Sequence, residues 1–127
     1  MDECVFCVIK SPSGDKILFE DDLCLVLPDK NPVEKGHLLV ISKAHYTSML
    51  DAPEDVAMHM FAVARLFGLR LRNKLSASDM NIGTNIGKGA GQQIQHFHVH
   101  VVPRHQGRGF DSGKALNEKE LEALRKD

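Results

Sequence analysis

The sequence predicts an α+β fold: five strands in one antiparallel sheet, a long helix packed against it, and a short helix near the C-terminus. Three observations predict it. "QHFHVHVVPR" (95–104) alternates Phe97, Val99 and Val101 with three histidines, which is the period of a strand. Val56, Met60, Val63, Phe67 and Leu71 recur at helical intervals between Asp51 and Lys74 and form one apolar stripe. Hairpin-like connections join the apolar runs early and late in the chain, which favours antiparallel neighbours.

In chain order, "CVFCVI" (4–9) is short and apolar, and "KSPSGD" (10–15) is a loop by composition. "KILFED" (16–21) and "LCLVLPD" (23–29) read as two strands joined tightly near Asp21-Asp22. A turn over 29–36 leads to "HLLVISK" (37–43), a buried strand whose continuous apolar run does not fix its facing. Asp51 is the expected cap of the long helix, with Pro53 in its first turn and Glu54 at capping-box spacing. His59 lies beside the apolar stripe and reads as a partly buried structural histidine. "DMNIGTN" (79–85) is a strand, "IGKGAGQQ" (86–93) a glycine-rich turn, and the histidine strand follows. The polar loop after Arg104 leads to "LNEKELEALRKD", a short helix with Asn117 and Glu120 at capping-box spacing.

The 127 residues fit one domain able to bury a core without staples. Its 16 basic and 17 acidic residues give a net charge of −1, so no basic patch implies a nucleic-acid partner. No apolar run approaches the roughly 20 residues of a membrane span, and no signal-peptide core is evident, so a cytoplasmic protein is expected. Three cysteines do not make a disulfide framework. Cys4 and Cys7, spaced C-x-x-C, read as metal ligands or a redox pair, and Cys24 as a small buried hydrophobe.

On a strand, His96, His98 and His100 share one face while Phe97, Val99 and Val101 pack the other. Such a face can be an ordinary polar surface, a metal site, or a nucleophilic centre in which one ring attacks and the others orient or protonate. The preceding glycine turn, with Gln92 and Gln93, offers N–H groups and amides that can cradle an anion. Beside three imidazoles, that points to a phosphate.

"HFHVHVV" resembles the signature of the histidine triad (HIT) superfamily of nucleotide hydrolases and transferases. "EKGHLLVISKAHYTSM", "NIGKGAGQQIQ", "CVFCVIK", "LFEDDLCLVLPD" and "VVPR" are similar to its other segments in the right order, covering residues 4–104, with 105–127 as a C-terminal extension of a single domain. The resemblance implies a HIT-like fold and a nucleotidyl-histidine mechanism. His98 would be the nucleophile on the α-phosphorus, His100 would contact the phosphate and assist the leaving group, and His37 would support the triad. Asn85, Gln92 and Gln93 would hold phosphate oxygens and Asp29 the ribose hydroxyls. Phe6, Ile9 and Leu27 would form an apolar slot for a base, usually a purine. Cys4, Cys7, His45 and His96 match a Cys2His2 zinc set of the bacterial type, a structural site that removes His96 from acid catalysis. No cofactor is implied for the chemistry itself. Homodimers are usual, and Val63, Phe67 and Leu71 could serve that interface or the monomer's own core.

The activity so implied is hydrolysis that frees a nucleoside monophosphate, AMP or GMP, from an amine, acyl or phosphate partner, phosphoramidase activity being the branch most resembled. Cleavage of dinucleoside polyphosphates is the alternative within enzymes. A nucleotide- or zinc-binding regulatory module with incidental catalysis is the alternative outside them. Two departures bear on specificity: Lys30 follows Asp29 where relatives often carry an apolar residue, and the chain has no tryptophan.

Overall fold

A computed structural model describes residues 16–104 and 115–126. Five strands form one sheet: β1 (Phe19–Glu20), β2 (Cys24–Pro28), β3 (Leu38–Ser42), β4 (Asp79–Gly83) and β5 (His98–Arg104). Helix α1 (Glu54–Leu75) follows β3, a 3-10 turn (Lys88–Ala90) separates β4 from β5, and α2 (Glu118–Leu124) closes the described chain. The sheet order is β1-β2-β3-β5-β4, and every pairing is antiparallel. Among the described residues, no helix is long and apolar enough to cross a membrane.

Register separates the two faces of the sheet. Val40 pairs with Val99 and Leu38 with Val101, while Leu39 pairs with His100 and Ile41 with His98. The first set joins Val26 and the α1 stripe of Met60, Val63, Ala64, Phe67 and Leu71 in the main core. The second set leaves Leu25, Leu39 and Ile41 as a smaller apolar cluster, with Leu27 and Ile94 against it, on the histidine side. The facing of 37–43, open in the sequence, is thereby settled. Val63, Phe67 and Leu71 are buried within the monomer, so they fill its own core.

Some boundaries differ from expectation for local reasons. Pro53, not Asp51, caps α1, and it has no side-chain oxygen to offer. The Asp51 N–H instead closes a turn onto the Ser48 carbonyl at 3.1 Å. Glu54 and Asp55 in the first turn and Arg72 and Lys74 in the last suit the helix dipole. The capping box of α2 is present, with Asn117 and Glu120 each accepting the other's backbone N–H. β5 begins only at His98, because the Phe97 N–H turns to the Tyr46 carbonyl at 2.7 Å.

Gly36 positions the residue after it. Its φ is +93°, and a Cβ there would sit 3.0 Å from Pro103 Cγ and 3.3 Å from Leu71 Cδ2. Gly36→Ala is therefore expected to cost about 2 kcal/mol, from left-handed strain plus overpacking. A lower urea midpoint at unchanged slope is the measurement; an unchanged midpoint would contradict the reading.

Candidate active site

His98 and His100 stand on the central part of the sheet, with ring centroids 4.9 Å apart. Their partners fix their tautomers. A carbonyl oxygen only accepts, so His98 Nδ1–H donates to the His96 carbonyl at 2.6 Å and Nε2 carries the lone pair. The reverse assignment arises for His100 through a relay. The Val33 N–H donates to His37 Nδ1 at 3.1 Å, which places the His37 proton on Nε2. That Nε2–H donates to His100 Nδ1 at 2.9 Å, so His100 carries its proton on Nε2. A nucleophilic nitrogen and a proton-bearing nitrogen thus come from adjacent positions of one strand face.

Burial acts against charge on both rings. It pushes His98 down, with the His96 carbonyl and Asp29 opposing. It pushes His100 down to about 4, with His98 and His37 adding to the effect and Asp29 opposing. Burial likewise lowers His37 against the pull of Asp29. Asp29 Oδ1 accepts the Asn31 N–H at 2.9 Å, and Oδ2 lies 3.4 Å from His37 Nε2. The turn over 29–36 that joins these two residues is closed by the Asp29 N–H on the His37 carbonyl at 2.9 Å.

Around this centre the structure distributes the expected residues unevenly. Leu27 lies against the apolar cluster on the histidine face. Asn85 and Gln93 are exposed on the loop entering β5. Asn85 also lines an open cleft of about 390 Å³ that reaches His37 and His100. Gln92 is different. Its Oε1 accepts the Gly87 N–H at 2.7 Å, and its Nε2 donates to the Thr47 and Ile94 carbonyls at 2.6 and 3.0 Å. With both ends of its amide engaged, Gln92 shapes the glycine turn and its side chain is not presented to a phosphate. Phe6 and Ile9 lie outside the described residues. Thr84, which sequence reasoning passed over, donates from Oγ1 to the His98 carbonyl at 2.6 Å where the β4 ladder has ended. Read as part of a strand over 79–85, it carried no signal of that contact.

His96 leaves the triad face. It precedes β5, is fully buried, and donates from Nε2 to the Ser42 carbonyl at 2.7 Å. Its Nδ1 then carries a lone pair and lies 3.1 Å from His45 Nδ1, with the rings perpendicular. Two imidazole nitrogens each about 2.0–2.1 Å from a tetrahedral zinc stand roughly 3.3 Å apart, so this pair fits as half of a four-ligand site. The Ser42 carbonyl is the outer partner that orients such a ligand. Cys4 and Cys7, the other half, lie outside the described residues.

The HIT domain model matches residues 11–107. The chain belongs to the HIT domain family. This HIT chain is 37% identical over 103 residues to the adenylylsulfatase HINT3 of Arabidopsis thaliana, covering 80% of the chain but 52% of that protein, about half its length. A zinc-bound histidine triad family protein from Mycobacterium smegmatis is similar in structure, at 36% identity and a TM-score of 0.84, over 97% of this chain and 91% of that one. A hypothetical histidine triad nucleotide-binding protein of Sulfolobus tokodaii matches at 33% identity and a TM-score of 0.79, over 96% and 87%. The five-stranded antiparallel sheet with its long and short helices is the HIT fold.

Proposed function

We propose that this HIT protein hydrolyses a nucleotide at its α-phosphorus, freeing a nucleoside monophosphate from an amine, acyl or phosphate partner. The observation that carries the reading is the complementary pair of tautomers, lone pair on His98 Nε2 and proton on His100 Nε2. The name of the Arabidopsis relative supports nucleotide hydrolysis as the general class.

The His98 lone pair forms a phosphorus–nitrogen bond as the bond to the leaving group breaks, and the departing atom takes the electron pair. The His100 Nε2–H donates a hydrogen bond to the departing atom, which takes up a proton from water as the bond breaks. Water then attacks phosphorus and releases its proton to solvent. The phosphorus–nitrogen bond breaks, and His98 is restored. His37 orients His100, Asp29 accepts the ribose hydroxyls, and Leu27, with Phe6 and Ile9, faces the base, a purine. Asn85 and Gln93 meet phosphate oxygens, and Gln92 contributes by holding the turn. Zinc on Cys4, Cys7, His45 and His96 would tether the N-terminal segment to the chain entering β5. A homodimer would pair the long helix α1 and an edge strand of the sheet across a two-fold.

The test is a product screen with adenosine phosphoramidate, AMP-lysine and diadenosine polyphosphates, reading AMP release. Phosphoramidates are expected to turn over fastest. Faster cleavage of the dinucleotides would move the chain to the other hydrolase class, and no turnover of any would leave a binding module. The pH profile gives a second check. Catalysis needs neutral His98 in the unbound protein, and its basicity is depressed. The acid limb of kcat/KM should therefore fall below the 6.5 of an ordinary imidazole. A limb at or above that value would contradict the burial argument.

A further inference from the structure

A second cluster of metal-ligating side chains lies away from the histidine face. Asp21 and Cys24 flank the tight β1–β2 turn, which the Asp21 N–H closes on the Cys24 carbonyl at 3.0 Å. Residues facing each other across such a turn direct their side chains to the same side. Here that side is the helix-bearing one, where Cys24 belongs to the main core. His59 comes down from α1, and its Nε2 meets Asp21 Oδ2 at 2.6 Å. One oxygen, one sulfur and one nitrogen, from Asp21, Cys24 and His59, lie within 4.8 Å of one another.

We propose that Asp21, Cys24 and His59 form a site for a thiophilic divalent cation of the zinc or cobalt class, separate from the Cys4, Cys7, His45 and His96 set. The donor types suit such an ion and not magnesium or calcium, which take oxygen donors only. Three protein ligands leave a fourth tetrahedral position for water. Entry is available, since the Asp21 and His59 side chains keep 29% and 37% of their exposure while the sulfur is buried beneath them. Asp21 Oδ1 is held by the Leu23 and Cys24 N–H groups at 2.8 and 2.9 Å, which leaves Oδ2 directed at His59. Binding needs the 2.6 Å Asp21–His59 contact to widen, the three donors to close on the ion, and the thiol proton to leave to solvent. The spare proton on His59 moves to Nδ1 by tautomer exchange.

Cobalt titration of the full-length, metal-depleted chain tests this, read by the sulfur-to-cobalt charge-transfer band and by the number of equivalents bound. Cys4→Ser/Cys7→Ser protein isolates the new site, and is expected to retain one equivalent with a single-thiolate band. Cys24→Ser and His59→Gln, each made in that background, should weaken its binding by about 100-fold or more. His59→Gln is the control for folding, because its side chain is partly exposed and its loss removes no core atom. If the Cys4→Ser/Cys7→Ser protein folds and binds no cobalt, or binds it equally well after His59→Gln, the trio is only a hydrogen-bonded clasp between the hairpin and α1. Should the first substitution prevent folding, wild type is compared with His59→Gln: a drop by one equivalent supports the site, and equal counts overturn it. Hydrolytic activity does not enter the readout, so the proposed chemistry at His98 can fail while this site stands.

Discussion

His98→Ala is expected to lower kcat for adenosine phosphoramidate by about 10⁴-fold or more while the protein stays folded. The size follows from the covalent catalysis proposed: removing the imidazole removes the atom that would bond to phosphorus, and among the described residues no other group is placed to replace it at the same point. His100 is one strand step away on the same face, but its Nδ1 lone pair is directed at His37 and its Nε2 carries the proton. It cannot take over without rearranging the relay from Val33. His98 is buried and its ring is fixed by the His96 carbonyl, so the substitution leaves a small cavity at the base of the site and leaves the main core untouched. Steady-state kinetics with a thermal melt on the same sample decides the matter. Turnover equal to wild type in a folded sample would sink the nucleotidyl-histidine mechanism.

Phe67→Ala is expected to remove about 3–5 kcal/mol of stability, a large share of the roughly 5–15 available to a domain of this kind. Phe67 is fully buried on the sheet-facing side of α1. Its ring meets the Phe19 ring edge-on with centroids 6.1 Å apart, and the Arg70 guanidinium lies 4.9 Å from its centroid. The cavity would therefore loosen β1 and the Arg70 anchor to the Leu124 carbonyl, made at 3.0 Å, together with the main core. Urea denaturation gives the magnitude, and a loss below 1 kcal/mol would mean that the core closes over the gap. Because Phe67 and His98 serve opposite faces of the sheet, the kinetic constants of the folded fraction should change far less than the stability.

Much of the architecture was legible because it rests on local periodicity. The stripe on α1, the capping box at Asn117 and Glu120, and the alternation through His98 to Val101 all repeat over a few residues. Each appears in the structure. The HIT signature was legible for the same reason, since its histidines occupy alternate positions of one strand. Where competing partners decided, reading stopped short. Asp51 and Pro53 both sit at a helix entrance, and the one that caps is chosen by the turn that Ser48 closes. Gln92 and Gln93 are neighbours with identical chemistry, yet one is buried across the glycine turn and the other is exposed.

The sequence by itself determined which side chains can share a strand face or a helix stripe, because a chain of fixed geometry imposes those periods wherever it goes. Only the tertiary structure decided which ring nitrogen of His96 and of His100 carries the proton. His100 takes its tautomer from His37, which lies 63 positions earlier, and His96 turns toward Ser42 and His45, more than 50 positions away. A proton resides on whichever ring nitrogen faces an acceptor, and folding alone brings that acceptor within reach.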